Sequence, residues 1–346
     1  MIARPYGRFY HLPTELAGLG HDVRVQLCSH RRLDSEAIER DGVVWSSHDF
    51  FTLGVPRLLR TVESEAREFC PDWIVGCSDT WAGWLAHRLS RRVGCRLAID
   101  AYDNYEAYMP ANLPLHWLWR RAIRAADVVT AAGPQLATRL DSHRRGKAPT
   151  TIVPMAADPG FVPRDRMASR IGLGLPVDAP LIGYSGGWAR NRGTDILIEV
   201  FRLVRAQRPD ARLVLTGRPP AHALAEPGVL ALGYVDDAQL PLVLSSLDVA
   251  CVITADSSFG RYSYPAKLCE AMACGTPLVA TATDPVRWML HDDTRFLASV
   301  GDAHGIAERV LAQIDERHTG YGTLPTWESG ARLFELALLK RQAARL

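Results

Sequence analysis

The sequence predicts an α/β protein built from two Rossmann-like domains, and three observations carry that prediction. Helical and strand-like segments alternate along both halves of the 346 residues. The alternation restarts after a polar linker that follows residue 153. A content of 47% hydrophobic and 23% charged residues is sufficient for two hydrophobic cores. Because strands that alternate with helices favour parallel sheets, each half is expected to form one parallel sheet with helices on both faces.

The first domain is predicted to span residues 1–152. Its pairs of helix and following strand are 12–20 with 22–27, 55–69 with 73–76, 80–93 with 96–99, and 113–126 with 128–131. Only three apolar residues precede the polar loop 4–11, where strands usually have five or six. The first strand is therefore expected to be truncated: either the native start lies upstream, or a short strand is compensated elsewhere.

The second domain is predicted to span residues 153–325. Its first strand is expected at 181–184, followed by a helix at 194–207, and its later strands are expected at 212–215, 229–231, 249–253 and 278–281. Open parallel sheets bind ligands at the carboxyl ends of their strands. Two such sheets in one chain predict a small-molecule site in a cleft between them.

Composition excludes several classes of protein. A net charge of +2 gives no indication of nucleic-acid binding. The seven cysteines are scattered and lack the spacings of a zinc site or a disulfide framework, which favours a cytoplasmic protein with reduced thiols. No apolar run approaches the length of a transmembrane helix, and the N-terminus has no signal-peptide pattern.

Residues 264–277 predict a helix whose N-terminus faces an anion. Pro265 suits the first helical position, and Gly275 marks the end. Lys267 adds a positive charge where the helix dipole favours anions, and Glu270 lies on the same face. Only three of the 40 basic residues are lysines, so this one is less readily explained as generic surface charge. The pair suggests a nucleotide's phosphate and ribose; the alternative is a capped helix whose two charges are merely solvated.

Short motifs follow one another in order through the second half: Val153–Asp158, Tyr184–Gly187, Leu213–Gly217, Leu232–Val235 and Glu270–Ala273. Each is weak alone, but their order and spacing resemble the GT-B-fold retaining glycosyltransferases of the family-4 type (glycosyl transferases group 1). The resemblance extends over nearly the whole chain. It implies two Rossmann-like domains facing each other across a cleft, with a C-terminal helix, residues 326–346, that crosses back to the N-terminal domain.

The resemblance implies a retaining hexosyltransferase of cell-surface polysaccharide or glycoconjugate biosynthesis, which takes a nucleotide-diphosphate sugar as co-substrate and needs no cofactor. The donor-binding residues that it implies are Gly7, Gly186, Gly187, Gly217, Tyr234, Val235, Tyr262, Ser263, Tyr264, Ala266 and Glu270. Glycines 186 and 187 would let the backbone approach the diphosphate. The family often has arginine at position 187 and glutamate at position 262, so this chain departs from the pattern twice and the identity of the sugar stays open.

Catalysis is expected to depend on positive charge at the leaving diphosphate, supplied by Arg192 and Lys267. The chain has no Asp-x-Asp triplet, which argues against a diphosphate held through a metal ion. By resemblance, the departing phosphate itself accepts the proton of the acceptor. Asp103 follows a strand end and ranks above Asp100 as a carboxylate that orients the acceptor, although a turn-capping role explains it as well.

The acceptor is expected to bind the N-terminal domain, where His11 and Tyr105 are candidates for contact with it; both also have ordinary structural explanations. A glycan, a lipid-linked molecule and a small molecule remain open as acceptors. Segment Leu113–Arg124 combines leucines and tryptophans with arginines. It predicts either peripheral contact with the inner membrane face or a core-facing helix with a basic outer face.

Two other functions remain open. The changes at Gly187 and Tyr262 suit a nucleotide-sugar-binding protein with weak or lost catalysis. A GT-B-like sugar-nucleotide epimerase would alter the free nucleotide sugar without any acceptor. A dinucleotide-dependent oxidoreductase is not expected, because the Gly-x-Gly-x-x-Gly fingerprint is absent from the strand-to-helix turns.

Overall fold

The computed structural model describes residues 2–188 and 193–343 and divides the chain into two compact units. Unit 1 comprises residues 1–155 together with 325–346. Unit 2 comprises residues 156–324. The chain therefore leaves unit 1 once, forms unit 2, and returns.

Helices and strands alternate through both units, as predicted. From residue 8 to residue 152 the chain forms α1 (Arg8–Gly18), β1 (Val23–Ser29), β2 (Glu36–Arg40), β3 (Val43–Asp49), α2 (Phe50–Leu53), α3 (Val55–Phe69), β4 (Trp73–Gly76), α4 (Thr80–Val93), β5 (Arg96–Ala101), a 3-10 turn (Tyr105–Tyr108), α5 (Leu113–Ala125), β6 (Val128–Ala131), α6 (Pro134–Asp141) and β7 (Thr151–Ile152). From residue 166 onward it forms α7 (Arg166–Gly172), β8 (Leu181–Tyr184), α8 (Ile196–Gln207), β9 (Arg212–Thr216), α9 (Ala221–Leu224), β10 (Val229–Gly233), α10 (Leu240–Ser246), β11 (Val249–Val252), a 3-10 turn (Gly260–Tyr262), α11 (Ala266–Ala273), β12 (Leu278–Thr281), α12 (Asp284–Met289), β13 (Leu297–Ala298), α13 (Ala303–Glu316) and α14 (Trp327–Ala343).

The described residues of unit 2 form one six-stranded sheet in the order β10-β9-β8-β11-β12-β13, and every pairing is parallel. All residues of β8, β11 and β12 are buried. Apolar side chains of α8 and α13, such as Phe201 and Val310, pack with these strands in one core. Continuous runs of buried residues are typical of parallel strands that helices cover on both faces.

Two sheets are formed by the described residues of unit 1. The strands β4-β5-β6-β7 are parallel throughout, whereas β1-β3-β2 is mixed, because β2 runs antiparallel to β3. The expectation of parallel strands alone is therefore wrong for β2. The reason is local: Asp41 and Gly42 form a two-residue connection with φ of 51° and 71°, the conformation that tight hairpins require.

Edge strands of these two sheets are partly exposed. Within the described residues, β1 is hydrogen-bonded only to β3, and β4 only to β5. Val75 of β4 is 38% exposed, and Cys28 of β1 is also exposed. Residues 2–7 lie ahead of α1 without forming a strand.

The C-terminal helix α14 belongs to unit 1 and packs against α1, as the resemblance implied. Gly330 of α14 lies close to Leu12 and Val153, since a Cβ on it would be 3.5 Å from each side chain. Helix α1 begins at Arg8, four residues earlier than the pattern predicts. Gly7 caps it with φ 68°, and the Gly7 carbonyl accepts hydrogen bonds from the N–H groups of residues 10 and 11 at 3.0 Å.

Candidate functional site

Lys267 lies in the first turn of α11, and the last residue of β8 holds its ammonium group. Its Nζ donates a hydrogen bond to the hydroxyl of Tyr184 at 3.2 Å and lies 4.4 Å from the centroid of that ring. The Tyr184 hydroxyl in turn donates to the carbonyl oxygen of Gly187 at 3.1 Å. A full positive charge is thus fixed at a helix N-terminus, where the dipole alone disfavours it. An anion bound there would be stabilised by both the charge and the helix.

Glycines at the carboxyl ends of β8, β9 and β10 adjoin one another, and the first of them lies beside this ammonium group. Gly186 has φ 132°, and a Cβ built on it would lie 2.4 Å from Lys267 Nζ. Gly217 has φ 80°, and a Cβ there would lie 3.4 Å from the carbonyl oxygen of Gly186. The N–H of Gly217 donates to the carbonyl oxygen of Gly233 at 2.6 Å. Without side chains at these turns, a ligand can approach the backbone closely.

Glu270 follows Lys267 by three residues on the same face of α11 and is only 7% exposed. Its charge affects the pKa values of two cysteines in the same segment. Burial, and secondly the charge of Glu270, raise the pKa of Cys269 and of Cys274 to about 12. These thiols therefore stay protonated near neutral pH.

The segment that leads into α11 is mostly enclosed. Tyr264 is 2% exposed and meets Trp288 edge-on at 5.8 Å between ring centroids. Ser263 is 7% exposed, Tyr262 is half-buried at the end of its 3-10 turn, and Ala266 begins the helix. The ring of Tyr264 thus belongs to the interior of unit 2, and the donor contacts expected of this segment stay predictions.

The remaining donor-site candidates lie in or beside turns. Tyr234 follows β10 and is 68% exposed, and Val235 next to it is half-buried. Gly187 is exposed at the turn after β8. Arg192 lies outside the described residues. The structure therefore brings together Lys267 and the turns at Gly186 and Gly217, with Tyr184 as a partner that the sequence analysis placed in a motif but not among the site residues.

In unit 1 the first turn of α1 is anchored by a buried ion pair. Arg8 directly follows Gly7, and it donates to both carboxylate oxygens of Asp100, through Nε at 2.8 Å and Nη2 at 2.7 Å. Its Nη1 donates to the carbonyl oxygen of Val153 at 2.8 Å. The hydroxyl of Thr130 also donates to Asp100, at 2.5 Å. Burial acts to lower the pKa of Arg8, but the charge of Asp100 outweighs it and the pKa is raised.

This pair was missed from the sequence because Asp100 lies 92 residues from Arg8. The only local indication was an arginine placed immediately after the glycine that caps the helix. The pair fixes Gly7 and the outgoing segment at Val153 to the end of β5.

The acceptor-side candidates of unit 1 have structural partners. His11 stacks on Trp327 of α14, with 5.9 Å between ring centroids. Asp103 accepts a hydrogen bond from the hydroxyl of Tyr108 at 2.7 Å. Tyr105 is 2% exposed and packs against Trp119, with 5.5 Å between ring centroids. The acceptor contacts expected of these residues stay predictions, and for Tyr105 the ring is part of the interior.

Neither a candidate metal-binding cluster nor a candidate membrane-spanning helix is found in the described ranges, 2–188 and 193–343. No cluster of three or more His, Cys, Asp or Glu side chains there has a geometry that could hold a metal ion. None of the helices in those ranges has both the length and the apolar character needed to cross a bilayer.

Comparison with known proteins identifies both halves. Residues 8–156 match the family model described as "Glycosyl transferase 4-like domain", and residues 179–316 match "Glycosyl transferases group 1". The D-inositol 3-phosphate glycosyltransferase of Stackebrandtia nassauensis is 30% identical over 174 residues, which cover 45% of this chain. The match covers 38% of that relative, so the chain spans well under two thirds of its length.

Solved structures share the fold. Sucrose-phosphate synthase from Thermosynechococcus elongatus has a TM-score of 0.72 and 19% identity, and the match covers 97% of this chain and 92% of that one. Anabaena HepE in complex with UDP-glucose has a TM-score of 0.64 and 17% identity, over 88% and 85% of the two chains. The prediction of two Rossmann-like domains is confirmed. With its two halves matched to the two family models in order, the chain belongs to the group 1 glycosyltransferases of the GT-B fold.

Proposed function

We propose that this chain transfers a sugar from a nucleotide-diphosphate sugar to a hydroxyl acceptor, with retention of configuration and without a metal ion. The observation that carries the proposal is the position of Lys267: its ammonium group is fixed by Tyr184 beside the Gly186 turn, where a Cβ would collide with it. A compact charge next to bare backbone suits a diphosphate. The UDP-glucose held by HepE, a protein of the same fold, supports a nucleotide sugar as ligand.

In this proposal the residues of unit 2 stabilise the leaving group. Negative charge grows on the diphosphate as the bond to the sugar breaks, and Lys267, the first turn of α11 and Arg192 would stabilise it. Glu270 would accept hydrogen bonds from ribose hydroxyls. The departing phosphate would take the proton of the acceptor hydroxyl on the same face, so the sugar would keep its configuration.

The acceptor side of the proposal rests on unit 1. Asp103 is held by Tyr108 and would orient the acceptor hydroxyl. Acceptors that fit this role are a glycan, a lipid-linked molecule or a small molecule. Contact of the chain with a membrane surface through Leu113–Arg124 is also part of the proposal.

The test begins with a thermal-shift panel of nucleoside diphosphates and their sugars, because a ligand that binds the native state raises its apparent stability. At least one diphosphate is expected to raise the melting temperature, also in the presence of a chelator. If no member of the panel shifts it, the donor site is refuted. Proton NMR of the product formed from the active donor then reads the anomeric configuration, and an inverted product would contradict retention.

The same NMR experiment separates the two alternatives. A binding protein that has lost catalysis would show the thermal shift but leave the donor intact, with and without acceptors. An epimerase would convert the free nucleotide sugar in the absence of any acceptor. Transfer that depends on an acceptor and disappears in Glu270→Ala would exclude both.

A further inference from the structure

Helix α5 has a second apolar face that points away from the core. Its buried face includes Leu115 and Trp119, as a core-facing helix requires. On the opposite side, Leu113 is 69% exposed and Trp117 is 54% exposed. These two residues are four apart, so they lie on one side of the helix. On the same side of the helix, this stripe of exposed residues continues to Arg121 and Arg124, which are both exposed. The interpretation of α5 as merely basic on the outside is therefore incomplete.

The segment before α5 extends this apolar surface. Residues 108–114 are exposed without interruption, and among them Tyr108 is 44% and Met109 48% exposed. Pro110, Ala111 and Pro114 line the same shallow depression as Met109. Soluble proteins rarely expose contiguous apolar groups of this kind unless they mark an interaction site. We refer to residues 108–114 together with Trp117, Arg121 and Arg124 as the α5 surface.

The charge around the α5 surface is positive. Residues 107–125 contain three arginines and no aspartate or glutamate. The guanidinium of Arg121 lies 5.6 Å from the centroid of the Trp117 ring. Burial, followed by the charges of Arg121 and Arg91, lowers the pKa of His87 on the neighbouring helix α4. A carboxylate does lie nearby, that of Glu106, but it is buried and paired with Arg120 and Arg139.

We infer that the α5 surface binds an anionic lipid bilayer. A leucine and a tryptophan at one end of the stripe suit the boundary between headgroups and acyl chains, where amphipathic aromatic rings are favoured. Arginines at the other end suit the anionic headgroups, which attract each basic residue near the membrane surface. The surface lies on a helix whose other face is packed into unit 1, so it binds as a preformed element.

The α5 surface is also continuous with the candidate acceptor residues. Tyr108, its first residue, donates a hydrogen bond to Asp103 at 2.7 Å. Asp103 is the carboxylate that the proposed function assigns to the acceptor, and this step rests on that proposal. An acceptor oriented by Asp103 would lie close to the level of the lipid headgroups. The acceptor class that fits is therefore a membrane-anchored molecule with a free hydroxyl.

Co-sedimentation of the full chain with vesicles tests the inference. The protein is expected to pellet with vesicles that contain phosphatidylglycerol and to stay in solution with phosphatidylcholine alone. Replacing both Arg121→Gln and Arg124→Gln should lower partitioning into the anionic vesicles by about 30-fold, since each charge contributes about 1 kcal/mol. Leu113→Ser with Trp117→Ser should abolish pelleting. A wild-type protein that does not pellet with anionic vesicles would overturn the inference.

A matched control comes from elsewhere in unit 1. Phe51 is 60% exposed, and the guanidinium of Arg32 lies 6.0 Å from its ring centroid, so this pair has the same chemistry as Trp117 with Arg121. Phe51→Ser with Arg32→Gln should keep vesicle binding. If it loses as much binding as the α5 variants, the α5 surface is not the binding element.

A donor readout separates this inference from the proposed function. All these variants change exposed side chains, so their thermal unfolding should match that of the wild type. The shift given by the active nucleoside diphosphate should also persist in the α5 variants. If the wild type does not bind anionic vesicles while this thermal shift persists, only the α5 surface is refuted. If no variant shows the thermal shift while vesicle binding is observed, only the donor site is refuted.

Discussion

The two units bury their charges differently. Among the described residues, unit 2 buries three side chains of Arg, Asp, Glu or Lys, which are Arg170, Asp248 and Glu270. The described part of unit 1 buries six, which are Arg8, Asp49, Asp100, Asp103, Glu106 and Arg144. Both units have inner strands that are buried at every residue, β8, β11 and β12 in unit 2 and β6 in unit 1. Among the described residues, unit 1 thus buries more charged side chains, and unit 2 buries more apolar ones.

This difference matters for the site. In unit 2 the candidate donor residues lie in turns that follow strands and in or just before helix α11, and among the described residues Glu270 is the buried charge that belongs to the site. In unit 1 the buried ion pair of Arg8 and Asp100 connects α1 to β5 and to the outgoing segment at Val153. Changes to buried charges should therefore have larger effects in unit 1 than in unit 2.

The largest effect is expected from breaking this pair. Arg8→Met leaves the buried Asp100 with Thr130 as its one remaining partner among the described residues. Removing one member of a buried ion pair typically costs about 3–5 kcal/mol. Arg170→Met is the matched change in unit 2, because both arginines are 3% exposed. Asp248 would keep Arg166 and Arg317, so the loss there should be smaller by about 1–2 kcal/mol.

Equilibrium unfolding in urea, monitored by hydrogen exchange of peptides from β5 and β8, measures the two losses separately. Arg8→Met should destabilise the β5 peptide first. Arg8→Lys keeps the positive charge but loses the bidentate contact with Asp100. Its stability should therefore lie between those of the wild type and Arg8→Met. Equal losses for Arg8→Met and Arg170→Met would contradict the difference drawn between the units.

A smaller effect is expected from Gly186→Ala in unit 2. The new Cβ would displace the Lys267 ammonium group, and φ of 132° strains any residue other than glycine by about 1–3 kcal/mol. Affinity for the nucleoside diphosphate should fall about tenfold. Gly301→Ala is the control, since Gly301 also has positive φ, at 80°, but has no atom within 4 Å of the added Cβ. It should bind the diphosphate like the wild type, and isothermal titration calorimetry compares the two.

The smallest effect is expected in the pH dependence of stability that His87 of unit 1 contributes. The pKa of His87 is lowered in the folded state by burial and then by Arg121 and Arg91. Below the ordinary histidine pKa of about 6.5, the unfolded chain takes up a proton that the folded chain does not. Stability from this group is therefore complete above that pH and falls on acidification. On acidification, the melting temperature of His87→Gln should fall less than that of the wild type, and equal falls in the two proteins would contradict a lowered pKa of His87.

The repetitive parts of the fold follow from the sequence because their cause is local. Periodic hydrophobicity predicts α3 and β4 to the residue. The hairpin of β2 and β3 was missed, since Glu36–Arg40 is mostly charged or exposed and does not resemble a buried strand. Its one local indication is Asp41-Gly42, which tight hairpin turns prefer.

The site was predictable to the extent that helix chemistry determines it. Pro265, Lys267 and Glu270 lie within one helical segment, so a charged N-terminus could be recognised from spacing alone. Tyr184 is 83 residues from Lys267, and its role as a partner depends on the packing of β8 beside α11. The exposure of Trp117 likewise depends on which side of α5 meets the core.

The central claim is that Lys267 holds the diphosphate of a nucleotide sugar. Isothermal titration calorimetry with the nucleoside diphosphate that gives the largest thermal shift tests it directly, with Lys147→Ala, an exposed lysine of unit 1, as the matched control. Loss of a hydrogen bond to a charged group should weaken binding by about 10- to 100-fold in Lys267→Ala. The control should bind like the wild type. Equal dissociation constants for the wild type and Lys267→Ala would contradict the claim.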